Sequence, residues 1–461
     1  MRGPQEPSFL QSLVCFGGVI LTVIFGLLGL GISLHSLLLI ALVWVASHSM
    51  ALGFTFQAVK SAMIVGIERG LGAIFIFFLI GVLIAALIEG GTIGGLIYYG
   101  VDLLHPTIFL PAGLVLCSLM SLATGTAWGT IGTMGIALMG LGSTLDIPLP
   151  LVAGMIVSGA TFGDKMSPIS DTTNLAAMSA NTDLYSHIKS MMYTTVPTYV
   201  ICLIIFTLIG LNYSNQTLST QEIFELKQYL AMEFDITLLT LLPLIVLLVL
   251  SIRRVPAEIS MLGSVATAVA LAIAMQDRPV AEVLNSLHTG YVADTGNESL
   301  DTLLSRGGIV SMMWTMSLAL LALSLGGILD RAGFIRVLLS GLLKRITRSA
   351  SLITTTIGAG IAANMSMGEA YLSIIFGGQI FKESYEKNNL EKHMLSRCLE
   401  EGATCSTSLI PWTTSGAYIL GVLAISPLEY APWAFFNYIN PLLSITLAYM
   451  GFGIFRQRKS I

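Results

Sequence analysis

Charge is what this sequence has least of. Of its 461 residues, 10% are Asp, Glu, Lys or Arg and 54% are hydrophobic, where a soluble domain carries roughly a quarter charged residues. That shortage excludes an ordinary water-soluble domain, which would show amphipathic stripes instead of unbroken apolar runs. No basic arm or acidic tail stands out, the formal net charge is −4, and nothing invites nucleic acid. Cysteine is sparse as well: Cys15, Cys117, Cys202, Cys398 and Cys405 fit neither metal-ligand spacing nor a disulfide framework. There is no phosphate loop of the Gly-x-x-x-x-Gly-Lys-Ser/Thr form, so ATP-driven transport has no engine here and no cofactor is expected. A cleavable signal is not expected either, because the first apolar run is itself a full span. The few histidines, among them His35 and His48, read as interface residues and not as a relay.

Long apolar runs are what the chain has instead. Phe9–Gly31, Leu71–Ile88, Val196–Leu211, Ile236–Leu250 and Ile309–Leu329 carry no charge, and about 20 such residues cross a hydrocarbon core. The chain is therefore an all-α polytopic membrane protein with membrane lipid as its surroundings. Lys and Arg mark cytoplasmic loops. They gather at Lys60/Arg69, Lys165/Lys189, Arg253/Arg254, Arg331 to Arg348, Lys382 to Arg397 and the tail Arg456/Arg458/Lys459, which places both termini in the cytoplasm.

One conflict in that pattern is informative. Arg331–Arg348 and Lys382–Arg397 both belong inside, yet the apolar stretch Ser349–Ile380 separates them. A re-entrant hairpin over about 349–380 removes the conflict. In the first half, cation-poor Gly90–Pro106 and Gly142–Pro150 flank a second hairpin over about 107–141. The hairpin middles are small or polar, Thr124-Gly-Thr126-Ala-Trp128 and Asn364-Met-Ser366-Met-Gly368, as bare backbone at membrane depth requires a buried or cavity-lining place. Residues 85–94 resemble 325–334, and Arg69-Gly70 recurs as Arg306-Gly307. The expected architecture is two inverted repeats, 1–215 and 216–461, each of five transmembrane helices plus one re-entrant helical hairpin, an arrangement of secondary transporters.

Chemistry concentrates in Gly163-Asp-Lys-Met-Ser-Pro-Ile-Ser-Asp-Thr-Thr-Asn174. Pro168 should break a helix running over about 149–180. The freed carbonyls, with Asp164, Ser167, Ser170, Asp171, Thr172, Thr173 and Asn174, make an oxygen cage suited to a hard monovalent cation. Na+ is expected on Asp164, Asp171, Ser167, Thr172 and Thr173, with Asp171 ranked first because Ser170, Thr172 and Thr173 surround it beyond the proline break and because Lys165 stands beside Asp164 in sequence. An intramembrane Asp costs at least ~2.5 kcal/mol to insert and is a functional site by default. The alternative is a solvated cytoplasmic loop around Lys165. In the second half, Glu400 to Ser415 repeats the composition over a broken helix of about 398–425, with Glu401, Ser406, Thr407, Thr413 and Thr414 as candidates. Glu400 reads as solvated at the cytoplasmic start. Glu369, after the neutral tip with Asn364 and Ser366, is a candidate proton carrier, or else a gate or a cap. The tip residues Thr124 and Thr126 complete the set. The polar stretch Lys382–Arg397 reads as a surface helix, and no arginine is expected inside a span.

Gly163, Asp164, Ser167, Pro168, Ser170, Asp171, Thr172 and Thr173 match, without departure, a Gly-Asp-x-x-Ser-Pro-x-Ser-Asp-Thr-Thr string. Through it the sequence resembles the NhaC family of sodium–proton antiporters within the wider ion-transporter group. The resemblance extends loosely over nearly the whole chain, Thr124–Trp128 included. It implies a bacterial inner-membrane carrier that is not an enzyme, paired hairpins and often a dimer. It also implies Na+/H+ antiport, or else Na+- or H+-coupled transport of a small carboxylate such as malate or lactate, or of an amino acid.

Overall fold

The computed structural model describes residues 5–457 apart from 104, 214–219, 254, 344, 345 and 347. Among them the chain is helical with no named strand; a single antiparallel bridge joins Leu390 to Arg456. The first half runs α1 (Phe9–Ile24), α2 (Leu34–Ala51), α3 (Phe56–Arg69), α4 (Leu71–Glu89), α5 (Thr92–Leu103), α6 (Pro106–Thr124), α7 (Ala127–Thr130), α8 (Ile136–Thr144), α9 (Leu149–Met166), α10 (Asp171–Ser179) and α11 (Leu184–Leu211). A connecting group follows: α12 (Thr220–Glu233), α13 (Leu242–Ile252), α14 (Ala257–Ala274), α15 (Val280–Thr289), α16 (Glu298–Leu304) and α17 (Gly308–Ser311). The second half continues with α18 (Met313–Arg331), α19 (Phe334–Leu343), α20 (Ser349–Met367), α21 (Ala370–Lys387), α22 (Lys392–Thr407), α23 (Thr414–Leu423), α24 (Pro427–Tyr430) and α25 (Phe435–Tyr449).

Six of the described helices are long and apolar enough to cross a membrane, or up to eight if each of two bent pairs counts as one span. α9 and α22, which carry buried charges, are not among the six. Apolar side chains that face outward, such as Leu21, Val43, Leu119, Ile204 and Leu262, would waste free energy in water and belong against acyl chains.

Local sequence explains the breaks that matter. After the 19 residues of α6 and the 19 of α20, the chain turns through Gly125 (φ 70°, ψ 22°) and Gly368 (φ 70°, ψ 7°). Both are left-handed conformations open to glycine at little cost. At Gly125 a Cβ would also stand 2.6 Å from Ile169 Cγ1. The next residue is extended at both turns, Thr126 (φ −147°, ψ 123°) and Glu369 (φ −146°, ψ 128°), and each caps the following helix. α9 stops at Met166 because Ser167, extended at ψ 126°, precedes Pro168, which disfavours helix at its predecessor. α10 restarts at Asp171. α22 stops at Thr407, and α23 restarts at Thr414 under the Thr413 cap.

The stretch read as a surface helix is corrected here. Its C-terminal part is the start of α22, where Met394 to Thr407 are all buried, and Arg397 is 1% exposed. An arginine therefore does lie inside a core helix. It is accommodated because its guanidinium faces Glu401 (3.7 Å) and donates to the Gly453 carbonyl (3.0 Å).

Candidate functional site

The two helix breaks and the two hairpin turns meet around one cavity of about 670 Å³. Asp164, Asp171, Thr172 and Asn174 line it from the α9–α10 break, Thr124 and Thr126 from the first turn, Glu369 from the second, and Thr407 from the end of α22. Asp171, at the first position of α10, is exposed to the cavity, whereas Asp164 is 8% exposed.

Three of the predicted residues work beneath the surface of the site. Ser167 donates to the Leu122 carbonyl (2.8 Å), tying the break to α6. Thr173 donates to the Lys165 carbonyl (3.1 Å), one of the acceptors left over where α9 ends. Ser170 shares a hydrogen bond with Thr172 (3.1 Å) and stands next to the Asp164 carboxylate. Asn174 donates to the carbonyls of Pro168 (3.0 Å) and Ser170 (2.7 Å). The break is thus fixed by side-chain hydrogen bonds to backbone carbonyls.

The second half closes the other wall. Glu369 accepts from the Thr414 hydroxyl (2.7 Å) and from the Tyr371 amide (3.3 Å), so it caps α21 while facing the cavity. The Thr414 amide also donates to the Gly368 carbonyl (2.8 Å). Asn364 donates to the Ala403 carbonyl (2.6 Å) and to Ser406 (2.8 Å). Ser366 bonds back to Ala362 within its own helix (2.6 Å), and Thr413 donates to the Thr407 and Ile410 carbonyls. Asn364, Ser366, Ser406, Thr413 and Thr414 brace the wall without lining the cavity. Trp128, at the first turn, donates to Ser415 (3.1 Å) and stacks on Tyr418, whose hydroxyl donates to the Trp128 carbonyl (2.6 Å).

Several buried oxygens lack a partner: the hydroxyls of Thr124, Thr404 and Thr407, which line the cavity, and the Asn364 Oδ1 behind its wall. Buried polar atoms are usually satisfied, and unpartnered oxygens at a cavity wall are where a cation or water is accommodated. Among the described residues no group of three or more His, Cys, Asp and Glu could hold a metal ion. The donors are hydroxyls, carbonyls and separate carboxylates, the hard-oxygen chemistry of an alkali cation. Electrostatics agree: among the described residues, Asp164, Asp171, Glu258 and Glu369 line the cavity against one cation, Arg69, which is occupied by Asp330 (2.7 Å).

Two sequence expectations are overturned by burial. Lys165 is not in a solvated loop and does not neutralise Asp164. It is fully buried and turned to Glu400 (3.6 Å), itself fully buried and not solvated at a helix start. Asp164 therefore has no protein cation paired with it among the described residues, and one of the two reasons for ranking Asp171 above it falls away. Glu401 is drawn away from the cavity to Thr194 (2.6 Å) and Arg397. Sequence reading passed over Thr161, Thr404, Glu258, Tyr371 and Arg69, all of which line the cavity. Thr404 was detectable, one turn past Glu400 inside a string already singled out. Glu258 and Arg69 come from other helices and had no local signal.

Comparison with known proteins gives a consistent picture. The profile of the Na+/H+ antiporter family matches residues 8–173 and 159–452. The chain is 36% identical over 449 residues to the Na+/H+ antiporter NhaC of Alkalihalophilus pseudofirmus, covering 97% of each chain. It is 34% identical to the malate-2H+/Na+-lactate antiporter of Bacillus subtilis, over 98% of this chain and 96% of that one. It is 33% identical to the arginine/ornithine antiporter ArcD of Halobacterium salinarum, over 98% of this chain and 94% of that one.

Proposed function

The chain belongs to the Na+/H+ antiporter family, and from that premise we propose that it exchanges Na+ for H+ at the α9–α10 break. The observation that carries this reading is Asp164: a nearly buried carboxylate at a cavity wall, without a paired protein cation among the described residues. A buried carboxylate needs a counter-charge or a proton. If Na+ and H+ take turns at the same oxygens, neither crosses bound alongside the other, and exchange is obligatory. Asp171 and Thr172 would receive the ion from the open part of the cavity, and Thr124, Thr404 and Thr407 offer the unpartnered oxygens. Glu369 is the second proton-binding candidate.

The test is the purified protein in liposomes containing a pH dye. An inward Na+ gradient alone should drive protons out and alkalinise the lumen. No pH response to Na+, with a response appearing only when an organic solute is added, would overturn the reading. Cavity size favours a second reading to this extent: about 670 Å³ far exceeds the ~30 Å³ share of one water, leaving room for a solute. The acidic walls favour a cationic solute over malate or lactate. Adding each of malate, lactate, arginine and ornithine to the same liposomes separates the cases.

The architecture we propose is two inverted repeats with α6–α8 and α20–α21 as re-entrant hairpins, in a bacterial inner membrane with both termini inside; a homodimer is what the family resemblance implies. The matched lengths of α6 and α20 and the matched dihedrals at Gly125 and Gly368 support the pairing. Cysteines placed at the exposed positions Arg348 and Glu386 should both be shielded from an impermeant external reagent. Labelling of one alone would turn α20–α21 into a crossing and end the repeat proposal.

A further inference from the structure

A second cavity, about 640 Å³, lies where the N-terminal segment, α3, α18 and α19 meet. Arg69, Arg331 and Arg336 line it beside the acids Glu6 and Asp330. Asp330 is taken by Arg69, while Arg331 and Arg336, both exposed, have no carboxylate within ion-pair distance among the described residues. Two free guanidiniums at a concave mouth fit the oxygens of one phosphate group. The rest of the lining includes an apolar or small wall, with Phe54, Ala58, Val65 and Val337.

Position says where the phosphate comes from. α19 spans 10 residues, about 15 Å of helix, half of a hydrocarbon core. It buries Phe334, Ile335 and Leu339 and leaves Arg336 and Ser340 exposed, the pattern of a helix lying in the membrane interface. On the neighbouring helices, Leu10 and Leu13 of α1 and Phe56 of α3 face outward, against acyl chains.

We propose that this groove is a binding site for the phosphate headgroup of an anionic phospholipid, held by Arg331 and Arg336 with an acyl chain along the apolar wall. Because Arg69 lines both this groove and the acidic cavity, the lipid sits one guanidinium away from the ion path.

The test uses full-length protein, delipidated in detergent and titrated with phosphatidylglycerol in mixed micelles, with bound lipid counted by native mass spectrometry. Wild type is expected to retain phosphatidylglycerol. Arg331→Gln with Arg336→Gln should weaken it roughly thirtyfold, at about 1 kcal/mol per arginine near a membrane surface. Ala58→Phe, which fills the groove without changing charge, should also weaken it. Removing two charges elsewhere, Lys387→Gln with Lys392→Gln, should leave retention unchanged. Glycerol phosphate and inorganic phosphate form the other arm; if either displaces phosphatidylglycerol at equal concentration, the ligand is a soluble phosphate and the lipid assignment falls. Retention unchanged in both groove variants would overturn the site itself.

Discussion

Asp164→Asn is expected to abolish Na+-driven proton movement while the protein still folds and inserts. Asparagine keeps the volume and hydrogen-bonding capacity of the carboxyl group but cannot ionise. The α9–α10 break should survive, because it is held by the Asp164 and Lys165 backbone carbonyls, Ser167 and Thr173, none of which the substitution alters. What disappears is the charge for which Na+ and H+ compete. In dye-loaded liposomes, the variant should show no pH response to Na+ at any concentration that saturates wild type. Asp171→Asn should weaken the Na+ response severely, since Asp171 stands at the open side. A double Asp164→Asn, Asp171→Asn protein that still exchanges Na+ for H+ would move the ion site elsewhere, with Glu258 and the Thr414-bonded Glu369 the remaining described carboxylates at the cavity wall.

The second large effect concerns folding. Lys165 and Glu400 are both fully buried and face each other at 3.6 Å. Removing one member of such a pair leaves an uncompensated buried charge and typically costs about 3–5 kcal/mol, whereas replacing both by apolar residues of similar volume is often neutral or stabilising. Glu400→Leu alone should therefore lose most of its monodisperse, folded protein in detergent. Lys165→Met with Glu400→Leu should recover it, read as melting temperature and size-exclusion profile. If Glu400→Leu melts like wild type, Lys165 has no need of its partner and the pair is not structural. A double variant that folds but no longer transports would assign the pair a role in exchange beyond holding α9 against α22.

These two experiments sit on opposite sides of what the sequence could say. The string Gly163–Asn174 announced a helix break through Pro168 and a cation cage through its hydroxyls, both local properties of a dozen residues. The turns at Gly125 and Gly368 were equally local, since only small or polar residues suit them. The fate of Glu400 was not legible. A glutamate beside a cationic stretch reads as solvated, and only the packing of α22 on α9 reveals that Lys165 is its partner. The same long-range contact removed one of the two reasons for ranking Asp171 above Asp164, the supposed neutralisation of Asp164 by Lys165. Glu369 was ambiguous for a different cause. A carboxylate after a turn can cap or serve a site, and this one does the first while facing the second.

α23 has a mechanical consequence. Its first turn is fastened to the second hairpin turn by Thr414, and to the first by Ser415 and Tyr418. Both turns therefore hang on one short rod and cannot part while those bonds hold. While those bonds hold, the two turns and the rod between them form one mechanical unit, and any motion that keeps the bonds has its sliding surfaces at the perimeter of that unit.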